Sequence, residues 1–466
     1  MAKFKLRGKD LLKLGFEQGP AVGLALEVVK KHLKFESKET VQEVLANLAA
    51  EPESYLQDTV WQKVALKLVP NEEEDKKQIS LNPAAKDYQT YGQNQIEEGA
   101  KDQMNIAMRL PVAEAGALMP DAHHGYGLPI GGVLATRNSV IPYGVGMDIG
   151  CRMCLSVYDL KPSIIDRDAY NLKKALKDNT RFGQNIFDDP IDDPVLERSE
   201  FSEIKKLKEL KNKAWRQMGS SGSGNHFVEF GIVEIKTKDD HLDLELGQYL
   251  AVLSHSGSRG LGANVAQHYT KIAREQCLLP KQAQHLAWLD LDSEAGTEYW
   301  LAMNLAGDYA SACHHDIHRR LGKFLGHQPI RVVENHHNFA WKETINGQNY
   351  IVHRKGATPA GKNILGVIPG SMTAPAFIVK GKGQAESLNS ASHGAGRKMS
   401  RTKAKATFTR SDMKQYLKKQ QVELIGAGLD ESPFAYKDIH QVMQNQRDLV
   451  EVLGNFYPKI VRMAKD

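Results

Sequence analysis

The chain carries an acid and a thiol three residues apart in a glycine-rich stretch, GVGMDIGCRM, over residues 144–153. Carboxylates such as Asp148 suit Mg²⁺ and Mn²⁺, whereas thiolates such as Cys151 and imidazoles suit zinc, iron, nickel and copper. One Asp, one Cys and several His predict a catalytic centre for one or two divalent ions, in which the thiolate can bridge two metals. The candidate histidines follow strand-like runs, in turns rich in Gly, Ser or Asn: His226, His255, His336, His337, His353 and His393.

The spacing of Asp148 and Cys151 constrains the backbone between them. Residues i and i+3 of an extended strand point to opposite faces, so both side chains can face one site only if the chain turns or bulges at Ile149 and Gly150. Glycine permits the backbone conformation that such a turn needs. The alternative is a buried cysteine at a tight strand end, with Asp148 capping the turn and no metal bound.

Basic residues in glycine-rich turns form a second group of candidates. The segments HRKGA and HGAGRKMSR contain Arg354, Lys355, Arg397 and Arg401. Backbone N–H groups in such turns can cradle phosphate, and arginine supplies paired donors. Residues 380–419 hold eleven Lys and Arg against two acids, a run that fits a phosphate-binding surface as well as a solvated face.

The usual nucleotide-binding motifs are absent from the sequence. Neither a GxxxxGK[ST] loop nor a KxDG lysine motif occurs. If the protein activates a nucleotide covalently, the nucleophile is therefore a different side chain, and a neutral imidazole can attack phosphorus to give a phosphoramidate.

Two further patterns give weaker signals. Cys151 and Cys154 form a CxxC, but there is no second pair for a structural zinc site, and the motif ends a strand-like run instead of opening a helix as in redox pairs. His314 and His318 lie one helical turn apart, a spacing that can bind zinc. Their charged surroundings, and the lack of an HExxH glutamate, favour a solvated or packing face.

The elements that must position these residues are of mixed type. Apolar residues at helical spacing predict a helical N-terminal module over residues 1–60, and residues 61–90 are predicted to be a linker to a catalytic domain over 91–466. In that domain, strand-like runs end in glycine-rich turns, which places the functional residues at strand ends. Helical stretches are predicted between them, at 201–218, 264–277 and 299–324.

Composition sets broad limits on the class of protein. With 41% hydrophobic and 25% charged residues, the 466-residue chain can bury a substantial core. Its start lacks the features of a signal peptide and it has no run of about 18 apolar residues, so a cytoplasmic protein without a membrane span is expected. The net charge of +5 does not by itself indicate a nucleic-acid partner.

Taken together, these segments resemble the RtcB family of GTP-dependent RNA ligases. The blocks PDAHHGYGLPIGG, GVGMDIGC, GNHFVE, HSGSRGLG, HHN, HRKGAT, PGSM and SHGAGRKMSR occur in the family's order within residues 91–466. The resemblance implies an α+β fold, with a core of packed mixed β-sheets, helices outside it, and here a small helical N-terminal segment. It implies an enzyme that uses GTP and two Mn²⁺ ions to join an RNA 3′-phosphate or 2′,3′-cyclic phosphate to a 5′-hydroxyl.

The resemblance also implies roles for individual residues. His393 matches the histidine that becomes guanylylated. The implied metal ligands are Asp148, Cys151, His226, His255 and His337, with Cys151 bridging the two ions. The implied GTP pocket comprises Asn225, His226, Phe227, Val228, Glu229, His337, Asn338, Pro369, Gly370, Ser371, Met372, His393, Gly394, Ala395, Gly396, Tyr436 and Lys465. Arg354, Lys355, Arg397 and Arg401 are candidates for holding RNA phosphates, the alternative being a solvated basic rim.

The sequence departs from the family pattern at several positions. Arg152 follows Cys151 where the family usually has glycine, PDAHH replaces a commoner PD-V-H, and Ala376 stands where a serine is expected. These departures leave the choice of RNA open, so RNA repair and the splicing of tRNA are both consistent with the sequence. The oligomeric state is also open, with a monomer favoured.

Two other functions compete with ligation. A two-metal RNA phosphodiesterase or phosphatase could open a cyclic phosphate with the same ligands and stop there, and it would need neither GTP nor His393. A non-catalytic RNA-binding protein on a ligase fold would need no intact metal ligands, and its RNA affinity would depend on salt without turnover of GTP.

Overall fold

The computed structural model describes residues 6–16, 20–34, 36–69 and 78–464. Its internal contacts divide the chain into two compact units, Met1–Gln78 and Ile79–Asp466. The described part of the first unit is helical, with an apolar cluster that includes Leu11, Leu45 and Val64. Its helices are α1 (Gly8–Leu12), α2 (Pro20–His32), α3 (Lys38–Ala50) and α4 (Gln62–Leu68). Helices α2 and α3 lie where the apolar spacing predicted them, and α4 lies within the stretch predicted as a linker.

The second unit is built on two main sheets. In chain order its strands are β1 (Gln89–Thr90), β2 (Ala113–Tyr126), β3 (Leu128–Thr136), β4 (Ser139–Val140), β5 (Arg152–Tyr158), β6 (Phe227–Ile235), β7 (Gly247–Ser256), β8 (Leu289–Asp290), β9 (Arg331–His336), β10 (Asn338–Ile345), β11 (Gln348–Lys355), β12 (Ala357–Pro359), β13 (Leu365–Ile368), β14 (Ala376–Gly381), β15 (Ser390–Ser392), β16 (Glu423–Ile425) and β17 (Val450–Met463). The smaller main sheet has the order β1-β2-β3-β11-β10. The larger has the order β13-β14-β17-β6-β7-β5-β9, with β16 beside β17. Two short pairs, β12-β15 and β4-β8, complete the described strands.

Helices surround these sheets. In chain order they are α5 (Glu98–Ala107), α6 (Ile164–Arg167), α7 (Ala169–Asn179), α8 (Glu200–Glu203), α9 (Lys205–Gln217), α10 (Arg259–Gln276), α11 (Glu294–Leu325), α12 (Arg401–Thr407), α13 (Arg410–Lys419) and α14 (Ile439–Gln444). The helices predicted at 201–218, 264–277 and 299–324 are confirmed as α8 with α9, α10 and α11. None of the helices in the described ranges has the length and apolar character needed to cross a bilayer.

Apolar packing joins the layers. Val133 and Val352 of the smaller sheet share one buried cluster with Ile368 and Val379 of the larger sheet. Ile317 and other residues on the same face of α11 pack in a second cluster that includes residues of β5, β6 and β7. Antiparallel pairs dominate both sheets, while β1-β2 and β16-β17 are parallel. The prediction of an α+β fold with packed mixed sheets and outer helices is confirmed.

Candidate active site

The candidate site lies where strands of the two sheets end. Cys151 and His226 immediately precede β5 and β6, and His255 lies near the end of β7. His337 joins β9 to β10, and His393 follows β15. Because β5 pairs with β7 and β9, and β6 pairs with β7, these strand ends lie side by side. The topology thus brings together residues that lie far apart in the chain.

The turn predicted between Asp148 and Cys151 is present. The Cys151 amide donates to the Asp148 carbonyl at 3.2 Å. Gly150 has φ +71°, and a Cβ placed on it would lie 2.9 Å from the Cα of Gly307 in α11. A side chain at residue 150 would therefore meet both an unfavourable left-handed backbone and a neighbouring helix. The glycine lets both potential ligands face one site.

Arg152, a departure from the family pattern, stabilises this turn through two hydrogen bonds and an ion pair. Its guanidinium donates to the Gly150 carbonyl at 3.3 Å and to the Gly307 carbonyl at 2.7 Å. It also forms an ion pair with Glu334 of β9. The arginine is 6% exposed, so its charge is compensated by partners within the protein, as a buried charge requires. It ties the turn to α11 and to the neighbouring strand.

Cys151 belongs to two groups of potential metal ligands. One is Cys151, His255 and His337; the other is Asp148, Cys151 and His226. The Cys151 Sγ lies 3.2 Å from His255 Nε2 and 3.4 Å from His226 Nε2. His255 Nε2 lies 3.2 Å from His337 Nε2, and His226 Nε2 lies 3.0 Å from an Asp148 carboxylate oxygen. In each group the ligand atoms lie close together, so their lone pairs could bind one ion. The two groups together fit two ions that share one thiolate.

Neighbouring groups orient two of these side chains. His255 Nδ1 contacts the Asn225 carbonyl at 3.1 Å, which leaves Nε2 facing the thiol. The second nitrogen of a metal-binding histidine commonly makes such a bond. Asp148 accepts from the Ser258 amide at 3.1 Å. It fits there because residue 257 is glycine: a Cβ on Gly257 would lie 2.2 Å from a carboxylate oxygen of Asp148.

Burial sets the protonation of the donor set. It lowers the pKa of His255 to about 3 and that of His337 well below its ordinary value, so both imidazoles offer a neutral lone pair. Burial alone would raise the pKa of Asp148, but the hydrogen bond and charge of His226 lower it. Burial, reinforced by the charge of Asp148, raises the pKa of the Cys151 thiol well above its ordinary value. A bound cation would have to displace that proton, as metals do at thiol sites.

His393 is paired with an acid that the sequence analysis missed. Its Nδ1 lies 2.6 Å from Oδ2 of Asp121, which also accepts from the backbone amides of His393 and Gly394 at 3.1 and 3.3 Å. Asp121 is fully buried, in a bulge of β2 between Leu118 and His123. Burial would raise the pKa of Asp121, but the charge and hydrogen bond of His393 lower it. The carboxylate therefore holds the proton on Nδ1 and leaves Nε2 as the free lone pair.

A cavity of about 280 Å³ opens in front of His393. Most of the residues predicted to bind GTP line it: Asn225, Phe227, Glu229, His337, Pro369, Gly370, Ser371, Met372, His393, Gly394, Ala395, Gly396 and Tyr436. Its wall also includes His123, Ala376 and Arg401. The His393 ring lies 5.0 Å from that of His337. His255 and His337 both line the cavity, so the cavity adjoins the candidate metal ligands.

Three other residues predicted to bind GTP do not line the cavity. The Val228 side chain is fully buried in an apolar cluster. His226 is among the metal-ligand candidates rather than in the cavity wall. The Asn338 side chain donates to the Asp148 carbonyl at 3.3 Å and accepts from the Gly356 amide at 2.8 Å, so it stabilises the turn between Asp148 and Cys151. Lys465 lies outside the described residues.

A buried acid, Glu431, also lines the cavity. Glu431, which the sequence analysis did not single out, is 3% exposed and accepts from the Tyr436 hydroxyl and from Arg401. Arg401 also donates to Asp430 at 2.8 Å, and the Arg397 guanidinium lies 5.2 Å from the centre of the Tyr436 ring. The two arginines are thus held at the cavity by carboxylates and an aromatic ring. No sequence pattern pointed to Glu431, which lies in a short helical turn.

The four basic residues predicted to hold RNA phosphates occupy different environments. Arg354 is fully buried, pairs with Glu343 and donates to Ser390 Oγ at 2.7 Å, so its prediction as a phosphate contact is wrong. Lys355 is 7% exposed and lies 4.7 Å from the Tyr143 ring. Burial lowers the pKa of Lys355 to about 7. Arg397 and Arg401 line the cavity and keep access to it.

The remaining histidines of the glycine-rich turns have structural roles. His353 is fully buried and accepts from the Ile141 amide at 2.9 Å. His336 stacks on Trp341 with ring centres 4.9 Å apart. His314 and His318 on α11, predicted to form a solvated or packing face, are buried against the larger sheet, which excludes the solvated alternative.

Comparison with known proteins gives a consistent result. The family model for "tRNA-splicing ligase RtcB" matches residues 103–208 and 195–464. The chain is 31% identical to the RNA-splicing ligase RtcB of Escherichia coli K12 over 391 residues, covering 77% of this chain and 92% of that protein. It is 29% identical over 428 residues to the tRNA-splicing ligase RtcB of Nanoarchaeum equitans, covering 77% and 90%. An RNA-splicing ligase RtcB homolog of Entamoeba dispar is 29% identical over 413 residues, covering 72% and 76%.

Proposed function

The chain belongs to the RtcB family, and from that premise we propose that it is an RNA ligase. In this proposal it joins RNA 3′-phosphate or 2′,3′-cyclic phosphate ends to 5′-hydroxyl ends, in the splicing of tRNA or in RNA repair. GTP and two Mn²⁺ ions are the cofactors. The observation that carries the proposal is a cavity lined by His393, which is paired with Asp121, and by His255 and His337, which belong to one of two ligand groups that share Cys151.

The donor set fits two divalent cations. Asp148 and His226 would complete one site and His255 and His337 the other, with Cys151 common to both. The Nε2 atoms of His226 and His337 make the contacts within the ligand groups and are therefore the ligand atoms in this proposal. Bound Mn²⁺ would polarise the α-phosphate of GTP and neutralise charge that develops on it.

His393 is the nucleophile in this scheme. Asp121 keeps the proton on Nδ1, so the Nε2 lone pair can attack the α-phosphorus of GTP and release pyrophosphate, which forms an N–P bond. An oxygen of the RNA 3′-phosphate then takes the GMP and returns the neutral imidazole. The 5′-hydroxyl attacks the activated 3′ phosphorus, loses its proton to water and displaces GMP. A cyclic phosphate would first be opened to a 3′-phosphate in the same site.

The cavity wall offers contacts for the base and the phosphates. Glu229 is 4% exposed, and burial raises the pKa of its carboxyl well above the ordinary value. A ligand that presents N–H donors, as the guanine edge does, would stabilise its ionised form. Tyr436, together with Lys465 as the resemblance implies, would contact the base. Arg397 and Arg401 would face phosphates and the charge of the transition state.

The test is covalent labelling with GTP carrying label on the α-phosphate, in the presence of Mn²⁺. We expect label that stays on the denatured protein and is lost in acid, as a phosphoramidate would be. It should be absent from His393→Ala and present in His241→Ala, which changes an exposed histidine. A protein that opens cyclic phosphate RNA without forming the adduct would instead be the hydrolase. One that binds RNA and does neither would be the non-catalytic protein. Cytoplasmic location and the monomeric state remain predictions.

A further inference from the structure

A second buried Cys–His cluster lies between α11 and the larger sheet. Cys154 on β5 pairs in register with Ser254 on β7, and His314 and His318 reach them from α11. Cys154, Ser254 and His314 are fully buried, and His318 is 6% exposed. The three ligand atoms offered by the cysteine and the two histidines lie within 4.8 Å of one another.

We propose that Cys154, His314 and His318 bind a structural zinc ion, with the Ser254 hydroxyl or a water molecule as the fourth ligand. One thiolate and two imidazoles form a donor set that Zn²⁺ favours, at bond lengths of about 2.3 Å to sulfur and about 2.0 Å to nitrogen. The site shares no ligand with the centre around Cys151. The spacing of the two histidines, one turn apart on α11, lets both side chains reach the same point.

Existing contacts already orient the ligands. His318 Nδ1 lies 2.7 Å from Ser156 Oγ, which directs Nε2 towards Ser254. The Ser254 hydroxyl lies 2.7 Å from that Nε2 and 2.6 Å from His314 Nδ1, so two ring nitrogens converge on one point. A partner on the second nitrogen is the usual support of a metal-binding histidine.

Burial sets the protonation of the ligands in this cluster. Without a cation, burial and the charge of Glu334 raise the pKa of Cys154 well above its ordinary value, so the thiol keeps its proton. Burial lowers the pKa of His318 to about 3, so its lone pair is available. A divalent cation would replace the thiol proton and give the buried donors a common partner.

The site would act on the strands that form the active centre. Cys154 lies on β5, which begins just after Cys151, and Ser254 immediately precedes His255 on β7. An ion bound there would join β5 and β7 to α11. It would hold these strands on the face of the sheet opposite the one that carries the metal ligands of the active site. Its role is therefore structural, and it is independent of the proposed ligation.

Cobalt substitution tests the proposal, because Co²⁺ bound to a thiolate and imidazoles in tetrahedral geometry has intense visible bands and a thiolate charge-transfer band. The measurement uses the full chain with Cys151→Ala, which removes the thiolate of the other centre. We expect these bands to appear, to persist when Cys313→Ser is added, and to vanish when Cys154→Ser is added. Cys313 is the matched control, since it is another buried free cysteine and lies on the same helix as the two histidines.

Metal analysis gives the second readout. Protein with Cys151→Ala, purified without added metal and dialysed against chelator, should retain about one zinc ion per chain. His318→Asn should lose that ion, which guards against a result that comes only from misfolding of the cysteine variant. If the Cys151→Ala protein holds no zinc and shows no cobalt–thiolate bands, the proposal is wrong and the cluster is a hydrogen-bonded one. Neither readout depends on guanylylation, so failure of the ligase proposal would leave this one intact.

Discussion

Asp121→Asn is the most informative change to the candidate active site. The substitution keeps the size and shape of the side chain in its buried position but removes the negative charge that faces His393 Nδ1 at 2.6 Å. Asparagine can also turn its NH₂ group towards Nδ1. The ring would then carry its proton on Nε2, the atom that must attack GTP.

The expected magnitude has two parts. Loss of a charge-assisted hydrogen bond costs about 1.5–3 kcal/mol, which corresponds to roughly 10- to 150-fold in rate at about 1.36 kcal/mol per tenfold. Holding the wrong tautomer adds to this: in the Asp–His pair of serine proteases the same substitution costs about 10⁴-fold. We therefore expect guanylylation of His393 to slow by about 10²- to 10⁴-fold in Asp121→Asn, with GTP affinity little changed.

The assay is a single-turnover measurement of adduct formation, alongside GTP binding and thermal unfolding of the same preparations. Asp121→Glu keeps the charge and should recover part of the rate, whereas a purely structural role would give no such recovery. If Asp121→Asn folds, binds GTP and forms the adduct within about tenfold of the unaltered protein, the argument that this carboxylate sets the reactive tautomer fails.

Three further predictions follow from the same geometry. Arg354→Met should destabilise the fold by about 3–5 kcal/mol, measured by urea denaturation, because it leaves the Glu343 carboxylate without its buried partner; a selective loss of RNA affinity at full stability would contradict this. Lys355 has a folded-state pKa of about 7 against an ordinary 10.5, so the unfolded chain binds more protons between these values. The free energy of unfolding of the unaltered protein, relative to that of Lys355→Met, should therefore rise with pH from about 7 towards 10.5. If urea denaturation shows the same difference between the two proteins at every pH, the lowered pKa of Lys355 is refuted. Gly150→Ala should weaken Mn²⁺ binding, measured by titration calorimetry, since the left-handed backbone costs an alanine about 1–2 kcal/mol and its methyl group would press on Gly307; unchanged affinity would show that the turn does not set the ligand geometry.

Part of the site was predictable from the types of side chain and from the alternating direction of side chains along a strand. The turn at Gly150 follows from the opposite directions of residues i and i+3 on a strand, and the structure contains it. Asp121 was missed because its role depends on a bulge of β2 meeting the end of β15, 272 residues further along the chain. Arg354 was misassigned because its glycine-rich turn resembles a phosphate loop. Its burial against Glu343 is set by the pairing of β10 with β11, which no local pattern reveals.

Cys151 and Cys154 show how the geometry of a strand directs two identical side chains to different sites. Cys151 stands at the end of the glycine turn, where its thiol faces His226 and His255, whereas Cys154 lies within β5 and faces α11. Side chains three residues apart on a strand point to opposite faces. This alternation is the reason why Asp148 needs the turn at Gly150, and it also keeps the Cys154 side chain away from the metal ligands around Cys151. A CxxC on a strand therefore cannot chelate one ion as the same motif does in a turn. It supplies one thiol to each side of the sheet, and whether the second side holds a metal is decided by the histidines that α11 brings to it.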